Sequence, residues 1–150
     1  MSGPTGVVRS DQARGADNGA GALDGGEATE GSSIPREVFS AAEAADEKLG
    51  QDTVVLAMGE LLGVIDAFVV TSGRNTRQVR TLVDEIERRV KVDGGITPKS
   101  VEGLRDGTWV LMDYGDFIVH VFLEETRSYY DLEHLWSGAP RVPWQARAAG

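Results

Sequence analysis

No cysteine occurs anywhere in the 150 residues, so neither a disulfide framework nor a thiolate metal site can be built, and a small secreted domain ordinarily needs such staples. That absence makes the cytoplasm the expected compartment. There is also no run of eighteen apolar residues, about the length a helix needs to cross a bilayer. The N-terminus has neither the apolar centre of a secretory signal nor the acid-poor composition of a mitochondrial transit peptide, and no membrane association is expected. Aromatic residues are missing from the first 33 positions, which hold eight Gly, five Asp or Glu and two Arg. Such a stretch cannot bury enough apolar surface to offset the entropy of ordering. Residues 1–33 are therefore expected to form a disordered, Gly-rich acidic tail.

Positive charge is scarce as well. Fifteen Lys and Arg face 24 Asp and Glu, a formal net charge of -9. The first 33 residues supply -3 of this, and residues 34–150, with 13 basic and 19 acidic side chains, supply -6. A surface of that average sign repels phosphate backbones and attracts basic proteins, although a local basic patch can override the average. What is present is a hydrophobic content of 41%, gathered beyond the tail and sufficient for one domain over 34–143. The last residues, 144–150, are expected to be a flexible, irregular C-terminal tail in which only Trp144 docks.

Pro35 suits the first position of a helix, and Val38, Ala41, Ala42, Ala45 and Leu49 recur at helical spacing until Gly50, which predicts a helix over 35–49. "TVVLAM" (53–58) and "AFVVT" (67–71) are short, β-branched and apolar, as buried strands are. Asn75 can cap a second helix whose third residue is Gln78, a capping-box pattern. Val79, Leu82, Val83, Ile86 and Val90 form its apolar stripe and Gly94 and Gly95 stop it. Residues 96–101 suit a short edge strand. A hairpin follows (108–113 and 116–122, around Tyr114 and Gly115), and 129–136 predicts a closing helix. The fold class is α/β, with a mixed sheet of about five strands flanked by helices.

The hairpin has two candidate registers. A two-residue turn pairs Asp113 with Asp116, Leu111 with Ile118 and Trp109 with His120, but asks Tyr114 for a positive φ. A three-residue loop with only Gly115 left-handed is cheaper and shifts the pairing by one. Both leave Val119 and Val121 on an apolar face and His120 beside Ile118 on a mixed one. The mixed face, with its aromatics and few polar groups, has the composition of a binding hot spot. A helix or loop of the same chain lying over it is the alternative.

These residues resemble a known family, the ribosomal silencing factors or iojap family. The likeness spans roughly 37–143. It rests on "AADEKLGQDTVVL" (from Ala44), Asp66 and Phe68 leading into "VVTSG", Arg77 and Gln78, Val101, Glu102 and Gly103, "WVLMDYGDFIVHVF" (from Trp109), and "YYDLEHLW" (from Tyr129) followed by Ala139 and Pro140. Many relatives have His and Pro where Leu123 and Glu124 stand, and Gly and Asp where Ser137 and Gly138 stand. The resemblance implies a nucleotidyltransferase-like fold without the catalytic motif, no enzymatic activity and no cofactor. It also implies a protein that docks on the large ribosomal subunit through ribosomal protein fourteen, blocks joining of the small subunit when nutrients are scarce, and can form homodimers. The expected contact surface is Trp109, Leu111, Asp113, Tyr114, Asp116 and His120, with Tyr130 and Trp136 shaping it.

Two chemical readings compete. Asp113, Asp116 and His120 around one turn could hold a divalent cation, but Asp flanking a glycine turn commonly accepts backbone N–H bonds instead. "TSGRNTRQ" could cradle a phosphate at a helix start, with Ser72, Gly73, Arg74 and Arg77 as donors, in a nucleotidyltransferase-like or phosphate-binding enzyme. A plain strand-to-helix turn is the alternative, because no acidic pair follows on a strand. His134 stands fourteen residues after His120 with no cysteine near, so zinc has little support.

Overall fold

Ile34 to Gln145 are the residues described by the structure, a computed structural model. The expected tail at 1–33 and the last five residues of the C-terminal tail lie outside the described residues. The sheet has five strands in the order β1-β2-β5-β4-β3, with β2 and β5 parallel and the other pairs antiparallel. Mixed pairing of this kind, with helices against it, is the expected α/β class.

Helix α1 (Arg36–Glu47) starts one residue later than expected, with Pro35 as its cap rather than its first turn. It also stops earlier. Leu49 takes a left-handed φ of 65° and is 77% exposed, so it leaves the apolar stripe, and Gly50 N–H closes the end on the Ala45 carbonyl at 2.8 Å. Strand β1 (Gln51–Ala57) and the fully buried strand β2 (Ala67–Gly73) are joined by a single helical turn, α2 (Gly59–Leu62). Helix α3 (Thr76–Gly94) buries Val79, Leu82, Val83, Ile86 and Val90, the whole expected stripe. Its cap is Asn75, whose Oδ1 accepts from Gln78 N–H at 2.8 Å, while Gln78 Oε1 accepts from Arg74 N–H at 2.7 Å. The side-chain return thus reaches one residue further back than a capping box. Gly94 remains helical, and Gly95, at φ 72°, is the left-handed stop.

The expected edge strand shrinks to β3 (Ser100–Glu102), and the hairpin is β4 (Trp109–Asp113) and β5 (Phe117–Leu123). The closing helix differs more. It begins at the end of β5 as α4 (Glu124–Tyr130), breaks at Asp131 (φ 52°), and resumes as one turn, α5 (Leu132–Leu135). Nor is the C-terminal segment irregular throughout. Ala57 N–H donates to the Pro140 carbonyl and Val142 N–H to the Val55 carbonyl, each at 2.8 Å, which covers the free edge of β1. Trp144 is buried, its Nε1 donating to the Thr53 carbonyl at 3.1 Å, so the folded part extends past 143.

Two apolar layers result. One lies between the sheet and α1 with α3, where Val55, Val69, Val110, Met112, Val119 and Val121 face the helices. On the opposite face Leu56, Phe68, Val70, Leu111, Ile118 and Phe122 pack under a roof made by the loop at 62–65 and by Leu132, Trp136 and Ala139.

Candidate partner-binding site

The hairpin settles on neither expected register. Tyr114 N–H donates to the Phe117 carbonyl at 3.0 Å, and the pairs are Asp113 with Ile118, Leu111 with His120 and Trp109 with Phe122. The shift is two residues from the tight turn, and because side chains alternate with period two, it restores the same division of faces. Tyr114 explains the longer loop: its ring stacks on Phe117, centroids 4.7 Å apart, within the helix-side core. Gly115 alone takes a positive φ, 95°, and its N–H is accepted by Asp113 Oδ1 at 2.8 Å.

Trp109, Leu111, His120 and Phe122 therefore share one face with Trp136 and Phe68. Trp109 Nε1 donates to His120 Nδ1 at 3.1 Å, which places the imidazole proton on Nε2, an atom with no hydrogen-bond partner. Phe68 meets that ring edge-on at 4.5 Å and Trp136 lies at 5.3 Å. Burial pushes His120 down to about 3, so it is neutral. Burial raises the Tyr114 hydroxyl, with the nearby Glu87 charge adding to it, and burial, then the neighbouring Asp116 carboxylate, raises the Asp66 carboxyl.

The roof changes the status of the expected contact residues. Leu111 and His120 lie beneath it, 5% and 2% exposed, and Tyr114 is buried toward the helices. All three are buried in this conformation. Trp109, Asp113 and Trp136 are half-buried, and Asp116 and Tyr130 are exposed. Residues absent from the expected set define what is free: Tyr129, 81% exposed, and Leu135, 66%, among the exposed carboxylates of Glu124, Glu125, Asp131 and Glu133. An unbroken helix would have put Leu135 in a different phase, which is why the pattern alone hid it.

Arg127 was also hidden, and it fastens the roof. Although buried, it donates to Glu133 Oε2 and Ser72 Oγ, each at 2.7 Å, and to the Asp52 carbonyl at 3.0 Å. Of the phosphate-cradle groups, Ser72 Oγ accepts from Arg127 and the Arg74 N–H is taken by Gln78, as the Gln78 N–H is by Asn75, while the Arg74 and Arg77 side chains are exposed. For the cation reading, Asp113 serves the turn, and among the described residues no group of three or more His, Asp or Glu is placed to hold a metal ion.

The described residues form an α/β domain with a covered aromatic cluster and an outer face of exposed aromatics and carboxylates. Its family follows from comparison. The profile of the family described as "Ribosomal silencing factor during starvation" matches residues 32–149. The chain is 41% identical over 100 residues to ribosomal silencing factor RsfS of Bacillus subtilis, covering 67% of this chain and 84% of that protein. It is 30% identical over 92 residues to the mouse mitochondrial assembly of ribosomal large subunit protein 1, covering 58% of this chain and 39% of that one. A crystal structure of a Chromobacterium violaceum protein matches with a TM-score of 0.63 at 34% identity, over 69% of this chain and 87% of that chain. The chain belongs to the ribosomal silencing factor family, and with it to the ribosome-associated regulators of translation.

Proposed function

We propose that the protein binds the large ribosomal subunit through ribosomal protein fourteen, occupies space that the small subunit needs, and so represses translation under nutrient limitation. The mechanism is steric and takes place in the cytoplasm: position and affinity suffice, and no bond is made or broken. The observation that supports it, beside family membership, is the outer face of α4 and α5. Tyr129, Tyr130 and Leu135 are exposed there beside Glu124, Glu125 and Asp131, while Arg127 is held internally by Glu133 and Ser72. Apolar anchors ringed by acids complement a basic ribosomal protein. Trp109, Asp113, Asp116, Tyr130 and Trp136 are the expected residues that retain surface for that contact. Leu111 and His120 support it from beneath, while Tyr114 packs on the opposite face of the sheet.

The experiment is a gradient profile of purified subunits. Saturating protein should deplete joined ribosomes, and the Tyr130→Glu variant should restore joining while remaining folded. Undiminished joining in the presence of saturating, folded protein overturns the proposal.

A further inference from the structure

The start of helix α3 gathers exposed arginines that no carboxylate holds. Arg77 and Arg80 lie in the first turns of α3 and Arg74 just before its cap, and all three are exposed, whereas Val79 and Val83 are buried. A fourth cation joins them from the loop after β3: Arg80 Nη2 donates to the Arg105 carbonyl at 2.7 Å and Nε to the Leu104 carbonyl at 3.3 Å. Among the described residues none of these four makes an ion pair, whereas Arg88, Arg89 and Arg127 are each held by a carboxylate. Arg74 and Arg77 line a surface depression of about 390 Å³ together with Leu49, Gln78 and Thr81.

The attraction does not come from the helix end. Two N–H groups there are already satisfied by Gln78 and Asn75 side chains, so any anion must be met by guanidinium groups. Arginine suits this, because its planar fork grips phosphate oxygens in pairs and its flat face stacks on bases. Four exposed arginines spread over a helix start and a neighbouring loop match a chain of phosphates better than a single one. The exposed Leu49 adds an apolar shelf for an unstacked nucleotide. α3 also lies on the face of the sheet opposite the roof, so this surface stays free when the acidic face is docked.

We propose that Arg74, Arg77, Arg80 and Arg105 bind the phosphodiester backbone of RNA without reading its sequence. The inference rests on the proposed function only for where RNA is met; the binding itself is a property of this surface. The net negative charge of the domain repels RNA at a distance, so the contact is short-ranged, modest in affinity and salt-dependent.

The test is fluorescence anisotropy of a short labelled oligouridylate titrated with the full chain over a series of salt concentrations. Binding should weaken steadily with salt. The double variant Arg74→Glu/Arg77→Glu, whose side chains are exposed and unpartnered, should fold normally and bind about tenfold or more weakly, with the log-log salt slope reduced by about 0.7 per arginine. Absence of binding at low salt, or equal binding by the folded variant, overturns the inference. So does full competition by inorganic phosphate at concentrations matching the RNA, which would mark a single-anion site. Retained binding of ribosomal protein fourteen by the double variant, and retained RNA binding by Tyr130→Glu, separate this inference from the proposed function.

Discussion

At the scale of single residues, His120 couples the hidden aromatic cluster to pH. Its folded value is depressed to about 3 by burial, against about 6.5 in the unfolded chain, so below pH 6.5 the unfolded state binds the extra proton. Stability from this group is complete above that value and is lost as pH falls toward 3. Asp66 acts in the opposite sense, because its raised folded value makes protonation favour the native state, but only in the carboxylate range. Between pH 7 and 5 the wild type should lose about 2 kcal/mol through His120. Urea unfolding at a series of pH values should show this, and His120→Phe, which still fills the space beside Phe68 and Trp136, should give a flatter profile. Parallel profiles for the two proteins would remove His120 from the explanation.

At the scale of elements, α3 and the roof show opposite origins of structure. The stripe, the Asn75 cap and the glycine stop of α3 are all written within its own twenty residues, which is why the sequence pattern reveals the helix almost completely. Asn75→Ala should cost about 1 kcal/mol in thermal or denaturant unfolding, the usual loss for a side-chain cap. The roof was not legible, because what holds it down is Arg127, bonded to Ser72 and Asp52 across 55 and 75 residues of sequence. The hairpin register has the same cause: local turn chemistry weighed Tyr114 only by its φ, whereas the Tyr114–Phe117 stack in the core decides the loop. The faces survived because a two-residue shift leaves them unchanged, so the membership of the aromatic cluster was readable while its covering was not. Arg127→Met should cost about 2 kcal/mol, as it removes the pair with half-exposed Glu133 and takes a donor from Ser72 Oγ and the Asp52 carbonyl. Amide exchange over 129–137 should then accelerate by more than the global loss requires, with α3 amides following the global loss alone. Uniform acceleration across both would show that Arg127 does not fasten the roof.

At the scale of the whole molecule, charge is sorted by face. Carboxylates crowd the roof and the hairpin tip, and Arg74, Arg77, Arg80 and Arg105 sit across the sheet near the start of α3, so a net charge of -9 hides two surfaces of opposite character. On the proposed function, such sorting would orient the molecule as it approaches a basic protein set in a field of RNA phosphates. On the proposed roof contact, acids and aromatics should then separate kinetically. Asp116→Lys with Glu125→Lys should slow association with ribosomal protein fourteen about tenfold at low salt and hardly at all at high salt, leaving the dissociation rate nearly unchanged. Tyr130→Ala should instead speed dissociation at every salt concentration, as the loss of a desolvated anchor does. Surface plasmon resonance with the immobilised ribosomal protein measures both. If the charge reversals acted on dissociation and the tyrosine on association, the acids would be part of the buried contact and the aromatics part of its approach, which inverts the arrangement argued from exposure.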